Sequence, residues 1–174
     1  MPERLRSELD ERSVTKHLWG VTRAQQEDKM DEVRRKEHRL KYYDYSKANL
    51  YFITIDTYDK KDIFGIIKDD KMILNNEGKI LNDNYSLIFD NGKAEIICFQ
   101  IMPNHIHFIL ELKNDRDITL PGAVSYFKAS ITKKIGIKPL WMRGYFDRVI
   151  RDEKEFKNVY NYIVNNPYRD KYKW

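Results

Sequence analysis

The chain has 174 residues, 41% of them hydrophobic and 13% aromatic, which supports one good core and argues against global disorder. Its net charge is +5, no apolar run approaches the roughly 18–20 residues of a membrane span, and the start "MPERLRSELDER" lacks a signal peptide's apolar centre. A single cysteine, Cys98, excludes an internal disulfide and a cysteine-rich zinc site, so a cytoplasmic protein without a membrane partner is expected.

Residues 1–38 are highly charged, with helical composition but no wide apolar stripe, and read as an extension that is helical or flexible. The sequence "LYFITIDTYD" (50–59) alternates and is rich in β-formers, predicting a strand. "IFGIIKDDKMILN" (63–75) predicts a hairpin turning near Asp69 and Asp70, and residues 77–90 a helix weakened by Asn and Asp. "KAEIICFQIM" (93–102) is an apolar strand. Pro103-Asn104 then turns the chain into "HIHFILEL", which runs back antiparallel. Val124, Phe127, Ile131 and Ile135 recur at helical spacing up to Gly136. A last strand is expected within 144–152 and a last helix over 152–166. Asp152 is its N-cap, Glu155 the capping-box partner, and Pro167 its stop.

This order describes an α+β fold of ferredoxin-like or RRM-like type. It has an antiparallel sheet, helices mainly on one face and the other face free for a ligand, plus a C-terminal helix. Residues 39–174 form the domain, and no internal repeat divides it.

Alternate strand residues share a side, so His105 and His107 stand together, away from Ile106, Phe108 and Leu110. Two rigid imidazoles side by side are half of a divalent-metal site, or else two satisfied, partly exposed strand residues. On the last helix Phe156, Val159, Tyr160 and Ile163 form one apolar stripe, and Tyr162 and Asn166 lie one above the other beside it. Each also has an ordinary structural reading, at the core boundary and at the helix end.

Charge is uneven. Residues 121–174 carry 12 Lys and Arg against 5 Asp and Glu, a local +7, interleaved with Trp141, Tyr145, Phe146, Tyr168, Tyr172 and Trp174. Cations for phosphates and aromatic faces for stacking suit an unpaired nucleic-acid strand, although a solvated basic face over core aromatics has the same composition.

Taken in order, the "YFITI" strand, "MPNHIHFIL", a lysine-bearing helix and "RGYFDRVIRDEKEFKNVYNYIVNNP" resemble the single-tyrosine HUH transposases, within them the REP-associated tyrosine transposases. The similarity runs from residue 39 to "YIVNNP". The resemblance implies that His105 and His107 are metal ligands, Tyr162 the catalytic nucleophile and Asn166 a third, amide-oxygen ligand. Tyr160, on the apolar stripe, is not the nucleophile. The family often has Gln where this chain has Met142.

The resemblance further implies Mg²⁺ or Mn²⁺, and a single-stranded DNA substrate folded as a hairpin from a palindromic repeat. The protein is then a monomer or homodimer that nicks and rejoins DNA through a 5′-phosphotyrosine. Lys128, Lys133, Arg143, Arg148 and Arg151 are candidate phosphate contacts. Three other readings compete: a non-catalytic single-stranded nucleic-acid-binding module of RRM-like shape, a metal-dependent hydrolytic nuclease, and a degenerate transposase kept as a binder.

Overall fold

The strand predicted from "LYFITIDTYD" forms as β1 (Asn49–Asp56), near the middle of a four-stranded sheet. The computed structural model describes residues 44, 49–89, 92–113 and 118–169, with Tyr168 and Arg169 described by backbone alone. The charged extension 1–38 and the terminal Tyr172 and Trp174 lie outside the described residues.

After β1, strands β2 (Gly65–Lys68) and β3 (Lys71–Leu74) form a separate hairpin. Its two turn residues, Asp69 (φ 51) and Asp70 (φ 57), take the left-handed conformation that two-residue hairpins demand. Helix α1 (Asn76–Asn84) is capped by Asn75, whose side chain accepts from the Gly78 N–H. The helix predicted over 77–90 ends at Asn84, and a 3₁₀ turn over Ser86–Phe89 replaces its last part. Strands β4 (Ala94–Ile101) and β5 (His105–Leu112) follow, then α2 (Leu120–Ile135), β6 (Phe146–Ile150), α3 (Glu153–Val164) and α4 (Asn166–Arg169). Helix α2 ends as its sequence predicts, at Gly136 with φ 82.

The sheet order is β4-β5-β1-β6, antiparallel throughout. One face, carrying Tyr51, Ile53, Ile55, Ile106, Phe108 and Leu110, is buried against α1 and α2 through Leu81, Val124, Phe127 and Ile131. The other face is not left free. Leu50, Phe52, Cys98, Ile109 and Ile150 pack beneath Phe156, Val159 and Ile163 of α3. The apolar stripe on the last helix is the cause: an exposed row of that kind buries itself on the nearest apolar surface. The end of this face that bears the histidines is polar.

The last helix also ends earlier than Pro167 alone suggests. Asn165 caps α3 and the chain restarts in the short α4, with Pro167 in its first turn. A missing N–H costs nothing there, since first-turn amides have no helical partner.

Candidate active site

The register of β1 against β5 builds the site. Thr54 pairs with His107 and Asp56 with His105, so all four side chains emerge on the α3 face. The Thr54 hydroxyl oxygen lies 2.8 Å from His107 Nδ1, and the Asn104 amide oxygen lies 2.7 Å from His105 Nδ1. An amide oxygen only accepts, so His105 Nδ1 carries the proton and its Nε2 presents a lone pair. The two Nε2 atoms stand 3.1 Å apart.

His107 is 4% exposed, whereas His105 is only partly covered. The rings of Tyr162 on α3 and of Phe52 on β1, 5.3 Å and 5.6 Å away between centroids, contact His107. Burial, then the neighbouring His105, pushes the His107 ring down to about 3, so it remains a neutral imidazole.

Tyr162 arrives from the C-terminal part of α3. Its hydroxyl is 3.5 Å from His107 Nε2, and its ring meets Phe52 edge-on at 5.9 Å and 89°. Tyr160, two residues away, turns instead to Phe156 within the apolar cluster. Asn166 is buried, and its side-chain Nδ2 is enclosed without a hydrogen-bond partner. Because the helix breaks at Asn165, Asn166 is not stacked above Tyr162 on one continuous helix. No hydrogen bond joins it to either imidazole among the described residues.

The donor set fits a divalent ion at the histidines. Two nitrogens each about 2.1 Å from one ion, at a right angle, would be about 3.0 Å apart. The Nδ1 partners fix both rings, as outer partners of ligating histidines do, and the neutral state is the one ligation requires. The orphaned Asn166 Nδ2 is a donor that no cation satisfies; only with the amide turned over would its oxygen occupy that enclosed position. Among the described residues, no group of three or more His, Cys, Asp or Glu forms a cation site.

The candidate phosphate contacts are dispersed. Lys128 donates from Nζ to the carbonyls of Met142 and Gly144, each at 2.7 Å, and burial lowers its pKa. It thereby anchors the 141–144 loop, whose Trp141 indole N–H returns a bond to the Lys128 carbonyl. The same loop pairs with the end of β1, through the Met142 N–H on the Asp56 carbonyl. Lys133 is exposed on α2, across the sheet from the histidines. Arg143 is exposed on the anchored loop. Arg148 lies on the site face, paired in register with Phe52, and its guanidinium is bound to Glu155 at 2.6 Å. Glu155 also accepts the Arg151 N–H.

Sequence reasoning missed Thr54, Asp56 and Phe52. Their signal was present: alternation in "YFITID" puts two polar residues on the same side as a phenylalanine. The strand register that sets them against the histidines was not.

No family model matches the chain. It is 33% identical over 160 residues to an uncharacterised protein of Haemophilus influenzae, covering 76% of this chain and 88% of that protein. It is 22% identical over 123 residues to the REP-associated tyrosine transposase of Escherichia coli strain K12, covering 71% and 68%. A solved REP-associated tyrosine transposase bound to a REP hairpin shares the fold, with TM-score 0.59 and 21% identity over 80% of this chain and 74% of that one. The chain is related in sequence to REP-associated tyrosine transposases and shares the fold of the solved one.

Proposed function

We propose that this chain is a metal-dependent transposase and endonuclease that nicks and rejoins single-stranded DNA through Tyr162. The reading rests above all on one observation: the Tyr162 hydroxyl is 3.5 Å from His107 Nε2, which itself stands 3.1 Å from His105 Nε2. The solved relative's REP hairpin supports a hairpin-forming repeat as the substrate.

His105 and His107, with Asn166 as third donor, would hold Mg²⁺ or Mn²⁺; nitrogen ligands suit Mn²⁺. When bound, the ion supplies Lewis-acid polarisation of a non-bridging phosphate oxygen. The phenol oxygen of Tyr162 attacks the phosphorus and loses its proton. The bond from phosphorus to the 3′-oxygen breaks, and that oxygen leaves as a hydroxyl once protonated. The downstream fragment stays joined to Tyr162 through its 5′-phosphate, so a second 3′-hydroxyl can reverse the exchange without water. Thr54 and Asn104 hold the imidazoles, and Phe52 fixes the Tyr162 ring.

The tyrosine reaches histidines of its own chain, so a monomer holds a complete site under this reading. A binding module that stacks bases across an open RRM-like sheet fits less well, because α3 covers Phe52, Cys98 and Ile109.

The test uses hairpin oligonucleotides from the DNA bordering the gene, with Mn²⁺ and then with excess chelator. A denaturation-resistant protein–DNA adduct, formed with Mn²⁺ only and not on the equivalent perfect duplex, is expected. Cleavage without any adduct would instead identify a hydrolytic nuclease.

A further inference from the structure

Phe146 is 52% exposed, on the outermost strand of the sheet, at the polar end of the α3 face. A single exposed apolar side chain needs no explanation; its surroundings do. Phe146 pairs in register with Thr54, whose hydroxyl bonds His107. Its ring meets Phe52 edge-on at 6.1 Å and 69°, and Phe52 contacts both Tyr162 and His107. The open ring is thus held by one intervening ring beside the tyrosine hydroxyl and the nitrogen pair. No strand lies beyond β6 among the described residues.

We propose that Phe146 is a stacking platform for an unpaired nucleobase flanking the phosphate that Tyr162 attacks. This rests on the reading of Tyr162 as nucleophile. A scissile phosphate at the Tyr162 hydroxyl carries a nucleotide on either side. A strand laid along the β6 edge brings one of those bases over the Phe146 ring. An unpaired base stacks favourably on an aromatic face with little dependence on its identity. Phe52 supplies the rigidity: its edge contact fixes the orientation of Phe146 while leaving ring surface open. Arg148, two residues on and on the same face, adds positive charge beside the path, moderated by Glu155. Phe146 thereby acts as a positioning residue, setting which phosphate reaches Tyr162.

The test is a coupling measurement. A hairpin oligonucleotide with an unpaired flank, taken from the DNA bordering the gene, carries an abasic sugar at each flanking position in turn. Its affinity is measured for the wild-type chain, Phe146→Ala and Phe146→Trp. Phe146→Ala should weaken binding of the intact oligonucleotide roughly tenfold, and Phe146→Trp should preserve it. At one position the abasic sugar should cost the wild-type chain a similar factor and cost Phe146→Ala nothing further. Urea unfolding checks the fold; a half-exposed ring leaves no core cavity when removed.

Equal affinity of wild type and Phe146→Ala, or independent losses at every position, would overturn the proposal. Adduct formation on the same oligonucleotides separates the two ideas. An adduct without a coupled position removes the stacking role alone. A coupled position without an adduct keeps the stacking contact and removes the chemistry of Tyr162.

Discussion

Alternate residues of β1 and β5 face two different environments. Toward α1 and α2, Tyr51, Ile53, Ile55, Ile106, Phe108 and Leu110 are fully enclosed, with Phe108 stacked on Phe127 at 5.3 Å. Toward α3 the row changes character along its length, from Leu50, Phe52 and Ile109 to Thr54, Asp56, His105 and His107. The apolar part of that row binds the helix, and the polar part receives the tyrosine that the helix carries. One face is therefore given over to burial, whereas the other combines anchorage of α3 with the candidate site. Substitutions on the two faces should separate stability from function.

The largest loss of stability is expected on the wholly apolar face. Phe108→Ala should cost about 3–5 kcal/mol in urea unfolding, through lost burial and the cavity left among Phe99 and Phe127. His105→Ala, on the partly covered polar end, should stay within about 1 kcal/mol while removing Mn²⁺ binding measured by calorimetry. A large loss of stability from His105→Ala would erase the contrast between the faces.

His107 is the exception within its own face, because it is buried. Below pH 6.5 the unfolded chain takes up a proton that the folded ring, at about 3, refuses. Its stabilising contribution is complete above about pH 6.5 and is lost as pH falls from there toward 3. In chelator, wild-type stability should drop by up to about 1.4 kcal/mol per pH unit in that window. His107→Gln should lose this component of the slope. An unchanged slope would show that His107 is not the responsible group.

Thr54→Val tests the outer support of the histidines. It keeps the shape of a β-branched residue and removes the hydroxyl 2.8 Å from His107 Nδ1. Mn²⁺ affinity should fall about 10- to 100-fold, with a smaller change in stability. Unaltered affinity would assign Thr54 to packing alone.

The smallest effect is expected at the start of α3, where the Asp152 side chain accepts the Glu155 N–H. Asp152→Ala should cost about 1 kcal/mol in urea unfolding and leave Mn²⁺ affinity unchanged. If metal binding fell with it, α3 would be coupled to the histidines more tightly than its cap position implies.

Much of this contrast is legible in the sequence because it depends on periodicity. The HxH alternation puts both imidazoles on one side, and the stripe of Phe156, Val159 and Ile163 marks α3 as a packed helix. Asp152 is readable as a cap because capping is local. What the sequence hides is non-local. Nothing in "YFITID" states that Thr54 will stand opposite His107; that follows from strand register. Lys128 reads as a free cation, yet tertiary structure brings the Met142 and Gly144 carbonyls to it. Glu155 reads as the partner of the Asp152 N–H, yet its carboxylate takes the Arg151 N–H and the Arg148 guanidinium. The break at Asn165 was obscured by Pro167, a stronger local signal two residues later. The covering of the second face was implicit in the α3 stripe, but which strands it covers was not.

The most direct measurement of the central claim is the site of covalent attachment. The wild-type chain is trapped on a hairpin oligonucleotide with Mn²⁺, digested with protease and nuclease, and the nucleotide-bearing peptide is sequenced by mass spectrometry. The account predicts one modified residue, Tyr162, linked to a 5′-phosphate. It also predicts that Tyr162→Phe yields no adduct while Tyr160→Phe yields it normally. Attachment at Tyr160, or an undiminished adduct in Tyr162→Phe, would contradict the assignment of the hydroxyl beside His107 as the nucleophile.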